Sequence, residues 1–392
     1  MVSVKEALQI ITKHTQMLNS VTLPLISSRG MVTAQEIYSP LDLPPFRQSA
    51  MDGYAIRSHK EKEYSVVGEV AAGDGKEFQL KAGEAVRIFT GAMVPKTATA
   101  VIIQEKVTRQ ADSITINDEV VLESNIRPRG EQISKGSLAL QRGTKLTPSA
   151  IEFLAGMGVT DVLVYGKPRV GIVITGNELV AAGEVLKEGQ IYEGNSKMIQ
   201  AVLEEMSIEG CTKYQVADNF EGTCEVLKKA FQENEVVLVN GGISVGDHDH
   251  VYEALKVLCV DSLFYKVRQK PGKPLFFGKQ NNKIVFALPG NPAAALTCFY
   301  LYVYPTLQKV MGHEGLGLER RQLVVTKAVT NILGRTLLLK AKILENGEVE
   351  ILEGQSSAML HTYSLANALV LVPESVDSVP KGGLVEVLML PN

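Results

Sequence analysis

No stretch of this 392-residue chain approaches the ~18 consecutive apolar residues that a membrane helix needs, so a membrane span is not expected. The opening residues, MVSVKEALQI, carry Lys5 and Glu6 and no apolar core of signal-peptide length, which points to a cytoplasmic location. Neither sign of charge dominates: 40 Lys and Arg against 43 Asp and Glu leave a formal net charge of −3. Non-specific nucleic-acid binding requires a basic face and is disfavoured, whereas anionic small molecules need only local Lys and Arg clusters. Cysteine is sparse. The four residues Cys211, Cys224, Cys259 and Cys298 show no Cys-x-x-Cys spacing, and each lies in or beside an apolar stretch. They read as structural thiols of a reducing compartment, with no disulfide implied. Two phosphate-binding signatures are also missing, the Gly-Lys-Ser/Thr of a Walker loop and the Gly-x-Gly-x-x-Gly of a dinucleotide fold.

What is present is an ordinary globular composition, 45% hydrophobic and 21% charged. The length exceeds what one hydrophobic core usually supports, so two to four domains are expected. Residues 3–18 read as an amphipathic helix, with Val4, Leu8, Ile11 and Leu18 near helical spacing. From about 20 to 168 short β-rich runs are broken by Gly, Pro and charge, which favours small sheets or barrels. Within this part Leu146–Gly158 reads as a helix capped by Thr147 with Pro148 in its first turn. Residues 169–311 alternate strands and helices, beginning with the apolar run Val170–Ile174 and closing on one long helix, Pro292–Met311. That alternation predicts right-handed crossovers and a mostly parallel sheet. The tail, 313–392, returns to short strands and reads as a separate small β-domain. The fold class expected is therefore α/β plus β-rich domains.

Ligands of such sheets bind beyond the carboxyl ends of the strands. Thr175–Glu178, Asp218, the loop from Gly241 to Asp249, Lys270–Lys273 and Pro289–Pro292 all follow a strand, so they should share one edge of the sheet. Gly241-Gly242-Ile243-Ser244-Val245-Gly246 offers backbone N–H groups and a hydroxyl, the makings of an anion nest; a glycine turn needing positive φ is the plainer alternative. Glu178, Asp218 and Asp249 bring carboxylates from three loops, suited to Mg²⁺ beside a phosphate. Helix capping is the competing use for Asp218 and Asp249. His248 and His250 flank Asp249, but alternate residues point opposite ways and no third soft ligand is near, which disfavours a transition metal. Lys270 and Lys273 bracket Pro-Gly and suit a dianion, against the plainer reading of a solvated pair. Ser49, Asp52 and Tyr54, with Thr90-Gly91-Ala92, form polar loops in the β-rich part without an evident packing task.

These loops together resemble the MoeA family of molybdopterin molybdenumtransferases, which includes the E domain of gephyrin. The matching segments, in family order, are Ser49-Ala-Met-Asp-Gly-Tyr54, Phe89-Thr-Gly-Ala92, Arg127-Pro-Arg-Gly-Glu131, Thr175-Gly-Asn-Glu-Leu179, Gly241-Gly-Ile-Ser-Val-Gly246, Lys270-Pro-Gly-Lys-Pro274 and Leu288-Pro-Gly-Asn-Pro292. The resemblance runs nearly the full length. It implies an elongated homodimer of multidomain subunits with a MogA-like α/β domain. The implied division is a helix at 1–19 packed on the α/β domain, a linker-type α+β domain of 20–40 and 139–168, a β-rich domain of 41–138, the molybdopterin-binding α/β domain of 169–312, and a barrel-like β-domain of 313–392. In the family the active cleft lies between the α/β domain and the β-domain of the other subunit. The reaction implied is Mg²⁺-dependent conversion of adenylylated molybdopterin and molybdate into molybdenum cofactor and AMP.

Carried over by position, Asp52, Thr90, Glu178, Asp218 and Asp249 resemble the family's functional residues, the three carboxylates being the metal ligands. Ser49, Gly241, Gly242, Ser244, Gly246, Lys270, Lys273, Pro289 and Asn291 resemble substrate contacts, and Arg335 and Ser356 resemble molybdate contacts. Transient contact with the molybdopterin adenylyltransferase and with recipient molybdoenzymes is implied as well. The chain departs from the family at Arg47-Gln48, often Asp-Asn, at Asn177, often Asp, at Glu193, often Asp, and at Ala294, often serine. A non-catalytic pterin-binding carrier and the related adenylyltransferase are the competing readings; the extra β-domains speak against the latter.

Overall fold

The computed structural model describes residues 1–243 and 250–391, which divide into two compact units. One comprises Thr22–Arg29 and Thr33–Val164; the other comprises Met1–Val21, Gly30–Val32 and the chain from Tyr165 onward.

The first of these units is built on a six-stranded sheet in the order Ala100–Ile103, Gly53–Ile56, Glu84–Ile88, Glu63–Val70, Ser113–Ile116, Val107–Gln110. Successive side chains of its central strands enter opposite cores, Ala55, Val86 and Val101 on one face, Tyr54, Ile56 and Ile102 on the other. This is the period-two alternation of a pleated strand. Gly53 stands where the strands approach most closely: a Cβ there would lie 1.9 Å from the Ile102 carbonyl oxygen. The glycine of the Ser49–Tyr54 segment thus has a packing reason. The helix Pro148–Gly156 starts as expected, the Thr147 hydroxyl accepting from the Ala150 N–H at 3.3 Å.

In the second unit, the helix Val4–His14 is shorter than the predicted 3–18 and is held by a capping box between Ser3 and Glu6. Its buried face, Val4, Ala7 and Ile11, joins the α/β core. The α/β sheet runs in the order Thr212–Val216, Val170–Thr175, Val236–Asn240, Lys283–Leu288, Phe276–Gln280, Asp261–Tyr265. The first four strands are parallel; Phe276–Gln280 runs antiparallel to both of its neighbours, Lys283–Leu288 and Asp261–Tyr265. The reversal comes from a tight hairpin at Asn281, whose φ of 57° is a conformation asparagine tolerates. Val170–Thr175 is buried along its whole length, as the apolar run implied. The predicted closing helix differs in detail: α-helical Pro292–Cys298 and Tyr304–Val310 are separated by a π-helical turn, Phe299–Val303. Pro305 donates no N–H and its ring would collide with the carbonyl four residues back, so the turn ahead of it widens.

The tail forms a second sheet, with the order Thr336–Ile343, Ala368–Val372, Leu384–Met389, Arg320–Val324. Its edge is completed by Gln269–Lys270, which pairs in parallel with Thr336–Leu337. Among the described residues no helix is long and apolar enough to cross a membrane.

Candidate active site

A cleft of about 760 Å³ opens at the carboxyl ends of the four parallel strands. Each strand delivers one wall. Val170–Thr175 leads into Thr175, Gly176 and Glu178; Thr212–Val216 leads to Asp218; Val236–Asn240 leads to Gly241 and Gly242; Lys283–Leu288 leads to Pro289–Pro292. The crossovers force these turns onto one edge, because every parallel strand ends on the same side. Gly241 and Gly242 have φ of 92° and 59°, and a Cβ on either would sit 2.9 Å from the Thr175 hydroxyl oxygen. That hydroxyl is buried and makes no hydrogen bond among the described residues. Positive φ and close approach both require glycine here, so the plainer alternative for the pair is met alongside any ligand role. Ser244, Gly246 and Asp249 lie outside the described residues.

A polar network that sequence reading did not single out ties the walls together. The Asn195 amide donates to the Asn240 side-chain oxygen at 2.7 Å and to the Gly290 carbonyl at 2.7 Å. Buried Asn240 donates to the Pro289 carbonyl at 3.2 Å. Pro289 is therefore held through its backbone. Glu193, only 6% exposed, accepts from the Ser196 N–H at 2.7 Å, the Ser196 hydroxyl at 2.5 Å and the Lys213 ammonium at 2.6 Å. Burial alone would raise its carboxyl pKa; the bonds from Lys213 and Ser196 outweigh burial and hold it below its ordinary value. The sole hint in the sequence was Glu193-Gly-Asn195 directly ahead of a helix.

Glu178 is exposed at the cleft and Asp218 half-buried. Asp218 does not cap the following helix: Asn219 does, accepting from the Gly222 N–H at 2.7 Å. Asp218 instead exchanges bonds with Asn177, accepting its N–H at 3.2 Å and donating its own N–H to the Asn177 side chain at 3.1 Å. The amide at 177 puts a neutral partner where a second acid would add negative charge. No cluster of three potential metal-binding side chains occurs among the described residues.

Lys270 and Lys273 are both exposed, and neither makes an ion pair among the described residues, nor does the half-buried Arg335. Lys270 and Pro271 line a second cavity of about 330 Å³ together with Asn331, Ile332, Leu338 and Gln355. Pro274, at the far end of the same turn, lines the larger cleft, as do Ala358 and Leu360 beyond Gln355. The two cavities are thus flanked by the same two segments, 270–274 and 355–360. Asn291 donates to the Ser357 hydroxyl at 2.9 Å, and the Ser357 carbonyl accepts from the Ala294 N–H at 3.2 Å. Ser357, one residue past the predicted Ser356, is the hydroxyl that touches the Pro289–Pro292 turn. Ser356 is exposed. Its segment is held from behind by Lys340, 3% exposed, whose ammonium donates to the carbonyls of Gly354, Ser356 and Met359 at 2.7, 3.2 and 2.9 Å. Burial lowers the Lys340 pKa.

In the other unit Asp52 and Thr90 meet: one Asp52 oxygen accepts both the Thr90 N–H at 2.7 Å and its hydroxyl at 2.9 Å. These bonds lower the Asp52 carboxyl pKa, with a smaller contribution from the charge of Arg87. Buried Ser49 closes its own turn, donating to the Met51 carbonyl at 2.7 Å. Arg47 donates to the Ala98 carbonyl at 3.2 Å and to Glu123 at 2.9 Å, so this departure from the family serves local packing.

Comparison with known proteins bears on this arrangement. Models of the MoeA N-terminal region (domain I and II), of a probable molybdopterin binding domain and of the MoeA C-terminal region (domain IV) match residues 2–158, 171–309 and 322–390. A molybdopterin molybdenumtransferase of Staphylococcus epidermidis is 33% identical over 400 aligned positions, spanning 99% of this chain and 95% of that protein. The corresponding protein of Staphylococcus aureus is 30% identical over the same span. The crystal structure of the molybdopterin biosynthesis moeA protein of Pyrococcus horikoshii OT3 superposes with a TM-score of 0.83 at 30% identity, covering 99% of this chain and 100% of that one.

Proposed function

The chain belongs to the MoeA family of molybdopterin molybdenumtransferases, and on that premise we propose that it inserts molybdenum from molybdate into adenylylated molybdopterin with release of AMP. It is an enzyme of molybdenum cofactor biosynthesis. The observation that carries the finer reading is the cleft itself: about 760 Å³ at the strand ends, carboxylates on two walls and glycine and proline turns on the other two. A volume of this order suits a large polar ligand.

In this reading the pterin nucleotide occupies the cleft, with Gly241, Gly242, Pro289 and Asn291 as its closest backbone and amide contacts. Lys270, Lys273, Arg335 and the serines at 356 and 357 serve the molybdate oxyanion, since cations without an ion-pair partner among the described residues suit a dianion. Glu178 and Asp218, with Asp249, would hold Mg²⁺; their hard oxygens are the donor type that ion prefers, and bound there it would offset phosphate charge. Asp52 and Thr90 are assigned to the reaction as a preset acceptor and hydroxyl pair, and Ser49 to the shape of their loop. A homodimer working in the cytoplasm, in transient contact with the adenylyltransferase and the recipient molybdoenzymes, completes the proposal.

The test is molybdate-dependent AMP release from adenylylated molybdopterin by the purified chain, with and without Mg²⁺. Release that requires molybdate and falls in Glu178→Gln and Asp218→Asn is the expected result. Tight pterin-nucleotide binding without any release would make the chain a carrier and refute the catalytic reading.

A further inference from the structure

The turn that presents Lys270 and Lys273 has an anchor of its own. Gln269 is fully buried, 0% exposed, although it is adjacent to an exposed lysine. Its side-chain N–H₂ donates to the carbonyls of Pro271 at 3.1 Å and Gly272 at 3.2 Å. Its side-chain oxygen accepts from the hydroxyl of Tyr302, also 0% exposed, in the π-helical turn. The two backbone carbonyls can only accept, so the amide orientation is dictated by its neighbours. The floor beneath is equally tight. Gly272 has a φ of 80°, and a Cβ on it would fall 2.4 Å from the buried Cys298 sulfur and 3.0 Å from the Gln269 nitrogen.

We propose that Gln269, held by Tyr302, is a positioning residue that sets the geometry of the two-lysine turn and so the affinity for the oxyanion. The inference rests on the reading that Lys270 and Lys273 receive molybdate. Drawing the carbonyls of residues 271 and 272 inward onto one amide leaves the flanking lysines, 270 and 273, at the surface of the turn. An amide that satisfies one buried carbonyl, one half-buried carbonyl and one buried hydroxyl has no apolar replacement that keeps all three paired. Without it the turn relaxes towards water and the backbone positions that carry the two lysines lose their fixed spacing. Pre-arranged binding groups lose affinity steeply when their spacing drifts.

The experiment compares the parent with Gln269→Met, Tyr302→Phe, the double variant and Lys273→Ala in the full-length chain. It reads the KM for molybdate, kcat, equilibrium binding of molybdate, and binding of the pterin nucleotide. Gln269→Met should raise the molybdate KM and dissociation constant about tenfold with kcat and nucleotide binding little changed, the split expected when binding shared equally by the ground state and the transition state is lost. Tyr302→Phe, which removes a single oxygen and keeps the packing ring, should raise them about threefold, and the double variant no more than Gln269→Met alone. If Lys273→Ala weakens molybdate while Gln269→Met and Tyr302→Phe do not, Gln269 is a packing residue and the proposal is overturned. If Lys273→Ala also leaves molybdate binding unchanged, the oxyanion reading of the turn is what fails, and the proposal falls with it.

Discussion

Glu193 offers the sharpest quantitative test, because a nearly buried carboxylate carries three bonds at one corner of the cleft. Replacing it with alanine removes the acceptor for the Ser196 N–H in the first turn of the helix Asn195–Glu205, a capping loss of about 1 kcal/mol. It also strips the buried Ser196 hydroxyl of a charged acceptor, about 1.5 kcal/mol. The Lys213 pair adds about 0.5–1 kcal/mol, discounted because the lysine side chain is 39% exposed. Together the loss should be about 3 kcal/mol at neutral pH, read by urea unfolding of the full chain followed by circular dichroism. Glu193→Asp, the residue common in the family, is one methylene shorter and should fall between parent and alanine. The pH dependence has a defined sign. The folded carboxyl titrates below its ordinary value of 4.5, so its contribution is complete above that value and is lost as pH falls through the folded pKa. The gap between parent and Glu193→Ala should therefore narrow in acid below 4.5. A gap under about 0.5 kcal/mol at neutral pH, or one that widens in acid, would refute the reasoning.

Further consequences are open to measurement. Lys340→Met keeps the stem but leaves three carbonyls without their donor, and should cost about 2–3 kcal/mol of stability and weaken molybdate binding; a variant with parental unfolding would show that water replaces the ammonium. Gly242→Ala places a Cβ 2.7 Å from a Val251 methyl and 2.9 Å from the Thr175 hydroxyl at positive φ, so it should lower the melting midpoint and reduce nucleotide binding together, and a neutral outcome would mean the loop rearranges freely. Asp52→Asn keeps an acceptor for Thr90 but removes the charge; thermal unfolding should match the parent while molybdate-dependent AMP release falls at least about tenfold, and parental activity would exclude Asp52 from the reaction.

Much of the architecture was legible along the chain because it follows local periodicity. The apolar run from Val170 to Ile174 implied a strand buried on both faces, alternation with helices implied parallel neighbours, and the strand-end rule drew Thr175, Glu178, Asp218, Gly241 and Pro289 to one edge. Lys270, expected on the same edge, instead lies in a strand of the second sheet and lines the other cavity. Thr147 and Pro148 likewise announced a helix start within four residues of sequence. What the sequence alone determined, then, was the kinds of element, their order and the side of the sheet on which polar turns gather, since these depend on short-range patterns and the handedness of crossovers. Only the tertiary structure decided which of those turns are held, and by what. Gln269 reaches Tyr302 across 33 positions, Glu193 reaches Lys213 across 20, Asn291 reaches Ser357 across 66, and Lys340 gathers carbonyls 14 to 19 residues away. A buried amide, carboxylate or ammonium must find its partner wherever the fold brings one, and nothing in the residues beside it records where that will be.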